Sequence, residues 1–152
     1  MQEEKKIGKF YYYVFAVMIV SFLGLRAIDF LHKNGAVEIG GQKFQVEIMK
    51  SAAELEKGLS GRASLDADKG MLFVFSKADR YVFWMKDMRF PIDILWINDG
   101  KIADIKHNAP VPASENLDKY LPDAPADYVL EINAGLSEKY GFRPGDAVKL
   151  DI

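Results

Sequence analysis

The chain has 152 residues, a formal net charge of −2 and no cysteine, which leaves room for one domain and an appendage. The lack of cysteine excludes thiol catalysis, disulfides, thiolate metal sites and a lipid anchor on a cysteine. Residues 34–152 hold the acidic excess, net −4, without a basic stripe, which argues against nucleic acid as a partner because phosphate must be neutralised.

Residues 10–25 run sixteen positions without a charge. As a helix they would span about 24 Å, short of a hydrocarbon core of about 30 Å. Ala27, Ile28, Phe30 and Leu31 extend the run, with Arg26 able to snorkel to the interface. Tyr11, Tyr12 and Tyr13 fit an interfacial belt, and no small-residue cleavage site follows Leu25. The expectation is an uncleaved single span over 10–31, with residues 1–9 as a cytoplasmic tail. Lys5, Lys6 and Lys9 cluster before the span and favour an inside N-terminus, placing the following domain outside the cytoplasm at the cell membrane. Residues 32–41, with Gly35, Gly40 and Gly41, read as a linker, and 42–152 as the soluble domain.

Within that domain, residues 42–50 alternate Phe44, Val46 and Ile48 with Gln45 and Glu47, the pattern of a half-buried strand. Ser51 and Glu54 form a capping box opening a short helix, with Gly58 placed to end it. Residues 70–75 are apolar on both faces, which predicts a central strand. Further strands are predicted over 81–85, 92–97, 101–107, 128–132 and 148–152, with a hairpin turn at Asn98-Asp99-Gly100. Residues 108–126 contain four of the prolines and read as a long loop. Asn133 reads as the cap of a second short helix ending near Gly141. Six or seven short strands and two short helices make a mainly β sandwich or barrel.

Five motifs occur in order: Gly58-Leu59-Ser60-Gly61-Arg62, Gly70 to Phe75, Phe83-Trp84-Met85-Lys86-Asp87, Pro91-Ile92-Asp93-Ile94 and Leu130 to Gly135. This series resembles the family named domain of unknown function 192, exported or membrane-tethered proteins of bacteria and archaea, over roughly residues 43–152. The resemblance implies a jelly-roll-like β sandwich and no particular activity. Where the family often has Met, Asn and Thr, this chain has Ser60, Asp87 and Met88.

The corner around residues 84–93 concentrates chemistry. Asp93 lies among bulky apolar neighbours, with Leu95 and Ile97 on its own face of a strand and Ile92, Ile94 and Trp96 on the other. Such a carboxylate is either a general base or ligand anchor, or a structural group answered by Lys86, Arg62, Arg89 or backbone N–H donors. Trp84 and Trp96 are either a stacking platform or core. Arg62 is either a gripper of anions or a tether to Glu131 or Asp93. Asp87 adds a charge at the turn, and Glu131 inside an apolar run is a candidate buried partner. With His32 and His107 the only histidines, a histidine-built metal site is not expected, and neither is a cofactor.

Arg62, Trp84, Lys86, Asp87, Asp93 and Glu131 are thus the candidate ligand-binding residues. The sequence supports a membrane-tethered, extracytoplasmic accessory module that binds an envelope protein or a small polar ligand. The alternative is a carboxylate-dependent hydrolase acting on cell-envelope material, with Asp93 or Glu131 as acid or base and Lys86 or Arg62 stabilising negative charge.

Overall fold

A computed structural model of the chain describes residues 11–24, 34–114 and 117–152. The chain divides after Lys33 into two units. In the first, residues 11–24 are helical (α1). Among the described residues no helix is long and apolar enough to cross a membrane. The rest of the expected span, residue 10 and residues 25–31, lies outside the described residues, as do residues 1–9.

The second unit starts earlier than the sequence led us to expect. Residues 34–39, read above as linker, form the first strand β1 (Asn34–Ile39). Val37 and Ile39 are fully buried, and this short inward alternation was masked by the flanking glycines. There follow β2 (Gln42–Met49), α2 (Ala52–Lys57), β3 (Lys69–Asp79), β4 (Phe83–Trp84), β5 (Ile92–Asn98) and β6 (Lys101–Ala109). The chain ends with β7 (Lys119–Tyr120), β8 (Ala126–Asn133), α3 (Leu136–Lys139) and β9 (Val148–Asp151).

Seven strands form one sheet in the order β6-β5-β8-β3-β2-β1-β9, and β4 pairs with β7 in a separate ribbon. The sheet curls until its ends touch: Val148 N–H donates to Gly100 O at 2.8 Å and Ile102 N–H to Asp146 O at 3.0 Å. The mainly β expectation holds, and of the sandwich and barrel alternatives the sheet takes the curled, half-barrel form. Among the described residues its one parallel pairing, β2 with β3, is made possible by the α2 crossover between them.

Local chemistry accounts for the connections. Ser51 Oγ accepts from Glu54 N–H and the Glu54 carboxylate from Ser51 N–H, completing the capping box of α2. Gly58 closes that helix at φ 47°, with the Phe73 ring too near to admit a side chain without adjustment. Asp99 and Gly100 both have positive φ, as a two-residue hairpin turn between β5 and β6 requires. Asn133 is not a helix cap. It ends β8, and its amide donates to Leu65 O and Asp66 O, while Gly135 precedes α3.

Alternation along the strands builds two apolar layers. One includes Val37, Phe44, Leu72, Leu95, Leu130 and Phe142. The other, on the opposite face of β3, β5 and β8, includes Met71, Phe73, Ile94, Trp96 and Val129, with Leu59, Met85 and Met88 from the covering segments. Trp96 is fully buried, and its indole N–H donates to Tyr81 O at 3.1 Å, so the ring fixes the segment that lies over the sheet.

Candidate functional site

Asp93 is fully buried and fully answered. Its Oδ1 accepts from Asn108 N–H (2.8 Å) and Gly135 N–H (3.1 Å), and its Oδ2 from Ser137 N–H (2.8 Å) and Ser137 Oγ–H (2.6 Å). A bulge sets this up. Ile92 pairs with Ala109 and Ile94 with Lys106, so His107 and Asn108 together oppose Asp93. Among the described residues its hydrogen-bond partners are Asn108, Gly135 and Ser137, with no lysine or arginine. Its role is to hold β5, β6 and the start of α3 together.

The hydrogen-bond chain continues from Ser137 Oγ to His107 Nδ1 at 2.7 Å. Because the hydroxyl gives its proton to Asp93, the ring N–H is the donor to Ser137. Aspartate, serine and histidine thus stand in a row with serine in the middle. A nucleophilic triad needs histidine between the other two, so this array does not activate Ser137. Neither Ser137 nor its contact with His107 was singled out in the sequence, where no local motif links them.

Arg62 tethers neither Glu131 nor Asp93. It makes a two-pronged pair with Glu47, both contacts at 2.6 Å. The arginine's hydrogen bonds hold the Glu47 carboxyl below its ordinary range, and Glu47 in turn raises Arg62. The anion Arg62 holds in this structure is thus the Glu47 carboxylate.

The 84–88 corner is held from below by the loop after α2. Ser60 Oγ–H donates to Lys86 O (2.8 Å) and Gly61 N–H to Asp87 O (2.9 Å). Asp87 itself has φ 55°, a left-handed conformation that asparagine and aspartate adopt more readily than most residues. That backbone demand accounts for its place at the turn without any role for its charge. Lys86 and Asp87 border a shallow hollow with Pro112, Ala113 and Leu117. The 108–126 loop packs beside the corner: Phe83 pairs with Tyr120 and Trp84 with Lys119 across the β4–β7 ribbon, a pairing not expected from the sequence.

The better-enclosed cavity is bordered by β4 of that ribbon. It has a volume of about 240 Å³ and is walled by Leu55 and Leu59 of the α2 region, Phe73 and Phe75 of β3, and Tyr81, Phe83, Trp84 and Met88 of the covering segment. Phe83 stands edge-on to Phe73 (5.0 Å) and Trp96 (6.1 Å), and Tyr81 stacks on Phe75 at 3.6 Å. Trp84 is 44% exposed, so it borders the cavity as a partly free ring and is not core.

Glu131 is the buried ionisable group in this wall. Its register neighbours are Met71 on β3 and Ile94 on β5, both fully buried and apolar. Its Oε2 has no hydrogen-bond partner. Burial alone pushes its pKa up to about 8. Asp127 has a similarly unpartnered oxygen but does not line the cavity. Asp93 pairs across the ladder with Ile132 and Glu131 with Ile94, so the two carboxyls lie on opposite faces of the sheet.

Of the six residues the sequence pointed to, the structure brings Trp84 and Glu131 into one cavity. It places Lys86 and Asp87 at a neighbouring hollow and commits Asp93 and Arg62 to structural bonds. Tyr81, Phe83, Phe75 and Leu55 were missed as site residues. The aromatic density of residues 73–84 was the available signal, although aromatics on strands are core more often than not. Among the described residues no cluster of three or more histidines and carboxylates could hold a metal ion.

Residues 35–150 match the family DUF192, described as an uncharacterized ACR. The chain is also similar to a Sinorhizobium meliloti protein provisionally described as a transcription regulator. The identity is 35% and the TM-score 0.68, over 77% of this chain and 93% of that one. A Novosphingobium aromaticivorans protein of unknown function is 34% identical with a TM-score of 0.66, over 76% of this chain and 83% of that one. No curated protein compared with the chain matches it.

Proposed function

This chain belongs to the DUF192 family, and from that premise we propose that residues 34–152 form a ligand-binding accessory module whose site is the cavity between α2, β3 and the 81–88 segment. The observation that carries this is the buried Glu131 carboxyl, unpartnered at Oε2, in the wall of a cavity lined mainly by apolar and aromatic side chains, with Glu56, Lys57 and Ser60 as the other polar ones. A buried polar atom without a partner lowers stability and does nothing for the fold. Binding supplies the missing partner. A concave apolar site with one convergent polar group is the usual form of a small-ligand site.

The module is further proposed to be tethered by residues 10–31 and to work outside the cytoplasm. The support is the uncharged run of residues 10–25, its tyrosine belt and the preceding lysine cluster. Protease added to sealed, right-side-out vesicles is expected to degrade the domain. A domain that resists until the vesicles are opened would reverse the topology.

Hydrolysis is the weaker reading, since Asp93 and Arg62 are already engaged with other groups and Lys86 does not line the cavity. Native mass spectrometry of the full chain, extracted from its membrane in mild detergent, tests the binding reading. We expect a retained small-molecule adduct that Leu55→Trp, which fills the cavity, removes. A bare wild-type mass, or an adduct indifferent to that substitution, would overturn it.

A further inference from the structure

We infer that the cavity takes a small organic cation, an ammonium or guanidinium on an apolar stem, with its head on the Glu131 carboxylate and its stem along the aromatic wall. This rests on the binding reading above and names its ligand class. Three features point the same way. The polar group at issue is an acid nine-tenths or more buried, with one oxygen unpartnered. The walls are apolar, from Leu55, Phe73 and Met88, and so suit a hydrocarbon stem. Tyr81, Phe83 and Trp84 supply rings whose negative faces attract cations. The other ionisable groups lining the cavity are Glu56 and Lys57, both exposed and of opposite sign, and Tyr81. Met71 and Ile94, which flank Glu131 on its strand neighbours, carry no charge.

In the empty cavity Glu131 holds its proton at neutral pH, because burial pushes its pKa up to about 8. Binding of the cation therefore releases that proton to solvent and leaves a carboxylate–ammonium pair. At pH 7 the ionisation step reduces affinity by only about tenfold, one pH unit below the pKa. The attraction within the pair and the burial of the apolar stem together have to exceed that factor and the cost of desolvating the cation. A neutral ligand with a hydrogen-bond acceptor would use the protonated acid instead and would show the opposite pH dependence.

The test uses the full chain in detergent, with the Trp84 indole resonance as reporter and Trp96, buried and hydrogen-bonded to Tyr81 O, as internal control. The probes are n-butylamine, its neutral isostere n-butanol, and N-acetyl-lysine N-methylamide. The last distinguishes a peptide side chain from a free amine as the source of the cation. We expect the amine probes to shift Trp84, to tighten about tenfold per pH unit up to about pH 8, and to release close to one proton per ligand by calorimetry in buffers of different ionisation enthalpy. Glu131→Gln should abolish amine binding while leaving any n-butanol shift intact. If n-butanol binds as well as the amines, or affinity falls as pH rises, the cation assignment fails while the cavity remains a binding site. If no probe moves Trp84, both fail. The wild-type pH profile decides the matter even if the Gln variant is poorly folded.

Discussion

Two buried carboxyls, Asp93 and Glu131, sit on adjacent strands and opposite faces of one sheet, and they have contrary fates. Asp93 accepts four hydrogen bonds from Asn108, Gly135 and Ser137. Glu131 has no partner at Oε2 and is squeezed between Met71 and Ile94. The difference arises from what lies over each face. Over Asp93 a strand bulge and the start of α3 bring backbone N–H groups to it, whereas over Glu131 the covering residues are hydrocarbon and aromatic. Satisfied polar groups inside a fold are structural by default; an unsatisfied one asks for a purpose.

The sharpest way to break this contrast is Asp93→Asn. Its amide nitrogen would replace one of the two oxygens and so face either the Asn108 and Gly135 N–H groups or the Ser137 N–H, and about 4 kcal/mol of unfolding free energy should be lost in urea titration. A loss below about 1 kcal/mol would mean that the four bonds are not what holds this end of the barrel.

Glu131→Leu should do the reverse. Because the folded-state pKa lies near 8, above the ordinary carboxylate value, the folded protein binds the extra proton. Its contribution to stability is fully present below about pH 4.5 and is lost as pH rises through 8, at about 1.4 kcal/mol per unit. Removing the acid should therefore raise stability at pH 7 by about 3 kcal/mol and flatten its pH dependence between 5 and 8. An unchanged pH profile would show that Glu131 is better solvated than its surroundings indicate.

The Arg62–Glu47 pair is a milder control, since its side chains are 36% and 42% exposed. Arg62→Ala should cost about 1 kcal/mol, less at high salt. Glu47 titrates below its ordinary value, so this contribution is present at neutral pH and is lost on acidification, opposite in sign to that of Glu131. Smallest of all, Asp87→Asn should change stability by only a few tenths of a kcal/mol, in the stabilising direction, because the left-handed φ of 55° suits asparagine. A loss of more than about 1 kcal/mol would restore a role for the Asp87 charge.

Much was legible from local pattern alone. The 42–49 strand, the Ser51 capping box, the Asp99-Gly100 hairpin and the central position of 70–75 follow from period-two alternation and turn chemistry, which act over a few residues. The β1 strand was lost to its neighbouring glycines. The ribbon strand β7 was lost because two residues inside a proline-rich loop carry no periodicity.

What the sequence by itself determined was that Asp93 and Glu131 are both buried, since each stands inside a run of strand-forming apolar residues. Which of them would be satisfied was decided only by the tertiary structure. The donors to Asp93 come from positions 15 to 44 residues away, and the wall around Glu131 is gathered from α2, β3 and the 81–88 segment. Hydrogen bonding depends on direction over about 3 Å, and a linear string of residues holds no record of which distant backbone N–H will arrive at that distance.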